Sequence, residues 1–106
     1  MRLEIPEYIA CSAIWYDDGI ERIHNPRNTK TGIVACGLRH CNCFLILSEI
    51  YKELDYIKNN KNGDKTIQGF LTSRNRFVDR KEGMEIALAA KQIPETKKEL
   101  YSEDLY

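Results

Sequence analysis

The sequence predicts an α+β fold: a small antiparallel sheet with an N-terminal hairpin, packed against two helices within one domain spanning residues 1–106. Three observations predict it. A run of strand-forming residues from Ile9 to Tyr16 leads into Asp17-Asp18-Gly19, a turn signature, because the central positions of a tight hairpin turn need positive φ. Two later stretches space their apolar residues at three- and four-residue steps. Between those stretches, Lys65 to Thr72 alternates with the period of a strand.

In chain order, the Asp-Gly turn should send Ile20 to His24 back as the second hairpin strand. Asn25 to Gly32 is polar and rich in turn formers, hence a loop; Arg27 and Lys30 make it basic, so it either reaches over a ligand or is simply solvated. Ile33 to Cys36 is a short strand candidate, broken by Gly37. From His40, the residues Cys43, Phe44, Leu47, Ile50, Tyr51, Leu54 and Ile57 predict an amphipathic helix of about five turns. Asn59 to Asp64 should end it in a loop. In the next strand, Ile67 and Leu71 are expected to face the core and Phe70 to face outward. Arg74-Asn75 reads as a bend. Asp79 with Glu82 fits a capping box for a second helix starting near Arg80. Gly83, Ile86, Ala87, Ala90 and Ile93 then form its inward stripe, and Pro94 is the expected stop. The tail, Lys97 to Tyr106, ends in two aromatic residues and two leucines; it is expected to be either frayed or docked on another surface, that of a neighbouring subunit in a homo-oligomer included.

The chain has 106 residues, 42% hydrophobic and 30% charged, with a formal net charge of zero. That is the composition of one ordinary globular domain. Zero net charge argues against a broad basic face for duplex nucleic acid, which relies on many uncompensated phosphate contacts. The longest nearly apolar run, Cys43 to Leu47, is too short to span a membrane, and the N-terminus lacks the layout of a signal peptide. A cytosolic location is therefore expected. The cysteines at 11, 36, 41 and 43 are read as reduced thiols, Cys11 and Cys36 as small core residues.

Candidate chemistry is sparse. Arg39-His40-Cys41-Asn42-Cys43 could begin a zinc site, but Cys36 or His24 would have to supply the fourth ligand, and two cysteines two apart at a helix start diverge around the axis. Asp17-Asp18 reads as a turn rather than an acid–base pair. No metal, organic cofactor or catalytic residue is assigned. The stretch Gly69 to Arg80 is richer. Arg74, Arg76 and Arg80, with Arg39 and His40, offer donors suited to a pyrophosphate. Phe70 and Phe77 offer stacking faces, and Thr72, Ser73, Asn75 and Asp79 can bond ribose hydroxyls or base edges. The same residues admit a plainer reading: Phe77 and Val78 in the core, Asp79 as a helix cap, and the arginines as a charged surface.

At Gly37 to His40, Gln68 to Glu82, Ala90 to Ile93 and Leu100 to Tyr106, and above all in Gly69-Phe70-Leu71-Thr72-Ser73 and Arg76-Phe77-Val78-Asp79-Arg80, the sequence resembles the type-one Thoeris anti-defence sponges, a family of small phage proteins. The resemblance implies a small sheet with two helices that assembles as homodimers and further into hexamers. It also implies, in the host cytoplasm, capture without cleavage of the cyclic ADP-ribose isomer made by bacterial TIR-domain immune enzymes. The ligand would sit near a subunit interface, and cyclic oligonucleotides are implied as further ligands. The implied ligand-binding residues are Arg39, His40, Phe70, Thr72, Arg74, Asn75, Arg76, Phe77, Asp79 and Arg80. Many relatives carry glycine where Asn75 and Lys91 stand, and asparagine tolerates the positive φ that glycine serves, whereas lysine alters a helix end. Two other functions stay open: an enzyme degrading a cyclic nucleotide signal, and a structural phage assembly protein.

Overall fold

The computed structural model describes residues 6–51, 66–96 and 98–105. Strands β1 (Ile9–Glu21), β2 (Thr31–Gly37), β3 (Thr66–Thr72) and β4 (Phe77–Asp79) form one antiparallel sheet in the order β2-β1-β3-β4. Helix α1 (His40–Ile50) follows β2, and α2 (Arg80–Ala89) follows β4 directly. A short 3-10 turn, Ser102–Asp104, lies in the tail. This is the α+β sheet-and-two-helix arrangement expected.

The N-terminal hairpin is present, but its second strand is Thr31–Gly37, not Ile20 to His24. The Asp-Gly signal builds a bulge inside β1, where the register shifts between Tyr16 and Glu21. Asp17 and Asp18 each accept from the backbone amide two residues on, Gly19 has φ 80, and Arg22 pairs with Asp18 at 2.9 Å. Side chains that satisfy their own backbone locally let the strand continue past the bulge.

Both helices cover one face of the sheet. On that face Ser12, Phe70 and Val78 stand side by side, and Ile14 pairs with Ala35. One buried cluster joins Ile9, Phe70, Val78 and Ala87 to Ile93 and Leu100 beyond α2; the other joins Ile14, Tyr16 and Ala35 to Cys43 and Leu47 of α1. The facing of β3 is thus the reverse of that expected. Phe70 is fully buried and Ile67 is 43% exposed. The reason lies in α2: a Cβ at Gly83 would come within 3.0 Å of the Phe70 ring, so glycine there lets the ring seat under the helix. The opposite face, with Cys11, Trp15, Val34, Cys36 and Leu71, carries no helix among the described residues.

Helix α1 ends at Ile50, with Tyr51 in an extended conformation, so it has about three turns rather than five. Leu54, Ile57 and the loop at Asn59 to Asp64 lie outside the described residues. Helix α2 starts at Arg80 as expected, but stops at Ala89, short of Pro94. The stop is a Schellman motif: Lys91 N donates to Leu88 O at 3.0 Å, Gln92 N donates to Ala87 O at 2.7 Å, and Lys91 has φ 62. The redirected chain brings Gln92 beside β1, where its amide exchanges two hydrogen bonds with the backbone of Ile9, at 2.8 and 2.9 Å.

Candidate functional site

The residues singled out from the sequence fall into two clusters at the two ends of β4. The first surrounds the β3–β4 turn. Thr72 N donates to Arg76 O and Asn75 N to Thr72 O, closing a three-residue loop with Asn75 left-handed at φ 58. Asparagine suits that place because it tolerates positive φ. Beneath the loop, Arg76 grips Glu7 through two bonds of 2.9 Å, and Thr72 Oγ1 donates to the same carboxylate at 2.6 Å. The Arg76 guanidinium holds the Glu7 carboxyl down at about 2. Arg76 also reaches Glu82, at 3.3 Å. Glu82 therefore does not complete the expected capping box; only its first half forms, Glu82 N donating to Asp79 Oδ1 at 2.8 Å. Arg74 is exposed on the turn.

Phe77 lies on the helix-free face, 7% exposed, with its ring 6.0 Å from that of Trp15. Its backbone is bracketed by Asn28, which donates to its carbonyl and accepts from its amide. The loop of Arg27 and Lys30 is in this way pinned to β4. Phe70 and Phe77 are thus both core rings in this chain, and the plainer reading describes Phe77, Val78 and Asp79.

The second cluster gathers where α1 and α2 both begin. His40 is buried between β3 and the tail. Its Nε2 lies 2.8 Å from Gly69 O, which can only accept, so Nε2 carries the proton and Nδ1 accepts from Ser102 Oγ at 3.1 Å. Burial pushes the imidazole below its ordinary range, which keeps it neutral. The edge-on Phe70 ring is 5.2 Å away. Arg80 binds the tail in three ways: its side chain donates to Leu100 O at 3.0 Å, its backbone carbonyl accepts from Leu100 N, and its guanidinium stacks 4.7 Å from the centre of the Tyr101 ring. Gln68 takes a further bond from Arg80. Arg39 reaches Glu103 at 3.8 Å.

Beside this junction an open groove is lined by Lys81, Lys98, Glu99 and Tyr101. It offers two ammonium groups, one carboxylate and a ring that is 41% exposed. Sequence reasoning left the tail either frayed or docked, and did not assign Lys81, Lys98 or Tyr101. No local pattern joins them, because they meet only when Arg80 draws the tail onto α2. Cys41 is exposed and Cys43 is buried, and among the described residues no three metal-ligating side chains gather.

A family model described as the phage T4 y16D protein matches residues 8–106. No curated protein and no solved structure matches the chain.

Proposed function

We propose that this chain, which belongs to the phage T4 y16D protein family, is an anti-defence protein that binds a cyclic ADP-ribose isomer, withholds it from TIR-based immunity and leaves it intact. The observation that carries this reading is the groove beside Arg80: two lysines next to an accessible aromatic ring held by an arginine. A small pyrophosphate ligand needs a few local cations and a π-face for its base, and not a long basic surface. Lys81 and Lys98, with Arg80 and Arg39 nearby, would take the phosphates, and Tyr101 would take the base. Phe70 and Phe77 do not fill that role, because their rings are buried.

The chemistry of the neighbouring groups favours binding over cleavage. His40 is neutral with both ring nitrogens engaged, Asp79 caps α2, and Glu7 is held by Arg76. None of these is poised to exchange a proton with a ligand in the groove. The site of action would be the host cytoplasm; assembly as homodimers or hexamers, and capture of cyclic oligonucleotides, rest on the resemblance alone.

The test is to mix the protein with cyclic ADP-ribose isomer from an activated TIR enzyme, remove free ligand, heat-denature the protein and assay the supernatant. Signal disappearing on mixing and returning intact on heating is the expected result. Signal never captured points to an assembly protein, and signal lost for good points to an enzyme; either outcome overturns the proposal.

A further inference from the structure

The tail is fastened at two places. Leu100 is fully buried in the cluster with Phe70 and Ile93, and its amide donates to Arg80 O at 2.9 Å. Beyond it, the turn Ser102–Asp104 rests on His40. Ser102 is 4% exposed, and its hydroxyl donates to His40 Nδ1 at 3.1 Å while the proton on Nε2 goes to Gly69 O at 2.8 Å. The turn braces its neighbour in the groove, since Tyr101 N donates to Asp104 Oδ2 at 2.9 Å. The buried attachment of the turn thus depends on a lone pair at Nδ1, which only the neutral imidazole has. Protonation would remove it. The Ser102 hydroxyl could then accept from Nδ1 only by turning its own hydrogen away from its acceptor, inside a buried site. The charged groups around the ring add to that cost. Arg80 of α2 repels an imidazolium, and Arg39 is a second cation at the start of its own helix. Glu103 of the turn attracts it, but that side chain is 66% exposed and paired with Arg39, so solvent screens it. From β3 the ring meets the Gly69 carbonyl and the edge-on Phe70 ring.

We propose that His40 is a proton-operated latch: when its ring takes up a proton, the turn Ser102–Asp104 lifts away from it while Leu100 stays seated, and Tyr101 loses the turn that braces it. Burial first, and Arg80 after it, hold the docked imidazole below its ordinary 6.5. With the turn lifted the ring meets water and returns toward that value, so the released form binds more protons than the docked form. Docking is therefore complete above 6.5 and weakens as pH falls from there toward the docked ring's own lower value. Over that window the ratio of released to docked turn rises by up to about tenfold per pH unit. Tyr101 lines the groove, so release alters the groove as well. The latch itself does not rest on the nucleotide-sequestering proposal, and it is tested without ligand.

The test follows the full chain by NMR from about pH 8 to about pH 5, the range in which histidine changes charge. The expected result is a His40 midpoint below 6.5, with the through-space contacts between its ring and Ser102 fading over the same titration. The Leu100 amide should keep its protection from hydrogen exchange throughout, which separates release of the turn from unfolding. In His40→Gln the side-chain amide can still donate to Gly69 O but does not titrate, so the contacts of residue 40 with the turn should be independent of pH. Ser102→Ala keeps the histidine and removes the hydroxyl that favours its neutral form; it should raise the His40 midpoint toward 6.5, and it carries the test where the glutamine variant fails to fold. A wild-type midpoint at or above 6.5, ring contacts that persist once His40 is protonated, a midpoint unmoved by Ser102→Ala, or a folded His40→Gln protein that releases the turn over the same range would each overturn the latch.

Discussion

Lys91 holds a left-handed backbone, φ 62, at the point where α2 ends. A non-glycine residue in that region crowds its Cβ against the backbone, at a cost of about 1–2 kcal/mol. Glycine relieves that strain but gains freedom in the unfolded chain, which returns part of the benefit. Lys91→Gly should therefore stabilise the protein by about 1 kcal/mol, measured as a shift in the urea midpoint; an unchanged or lower midpoint would show the Schellman geometry to be wrong. Asn75, at φ 58, has the same backbone but a smaller expected gain. At this scale the bend at Arg74-Asn75 was readable, because asparagine tolerates the positive φ that Asn75 adopts. Phe70 was not readable in this way. Alternation sorts side chains into two faces, yet it does not say which face the helices cover, and Gly83 decided that from another element.

Among the elements, the β3–β4 turn is fastened to the segment before β1 by Glu7. Besides the Arg76 and Thr72 contacts, Tyr8 and Ser73 exchange two bonds, Tyr8 N to Ser73 Oγ at 3.0 Å and Ser73 N to Tyr8 O at 2.8 Å. The folded protein holds the Glu7 carboxyl at about 2 against an ordinary value of 4.5, so the native state binds fewer protons there than the unfolded chain. This contribution is complete above 4.5 and is lost as pH falls from 4.5 toward about 2. The Arg76 side chain is 33% exposed, and after allowance for screening the pair is worth about 2 kcal/mol. Glu7→Gln should be less stable than wild type by that amount at neutral pH, and the gap should close in acid; equal stability at neutral pH would remove the clamp. No spacing rule reaches from residue 7 to residue 76, so this fastening was invisible in the sequence. The strand–bend–helix order from Lys65 to Arg80 was legible because period and cap residues are local signals. The Asp-Gly turn misled, because side-chain bonds from Asp17 and Asp18 turned it into a bulge.

For the whole molecule, the fold class was legible, whereas the site was legible only in part. Arg39, His40 and Arg80 do meet, but around the tail: His40 bonds Ser102, Arg39 pairs with Glu103, and Arg80 stacks on Tyr101. The arginine-rich stretch ends at Arg80, beside the proposed groove. Its rings and Arg76 serve the fold, and the groove draws on Lys81, Lys98 and Tyr101 instead. The central claim is that this groove holds a pyrophosphate nucleotide reversibly. Calorimetric titration of purified cyclic ADP-ribose isomer into wild type, Tyr101→Ala and the Lys81→Ala/Lys98→Ala pair tests it most directly. We predict saturable binding by wild type, a loss of at least about tenfold in affinity for each variant, corresponding to about 1.4 kcal/mol, thermal unfolding unchanged in the lysine pair and slightly lowered in Tyr101→Ala, which loses the Arg80 stack, and intact ligand recovered from the cell. Variants that bind as tightly as wild type, or a wild type that shows no binding, would contradict it.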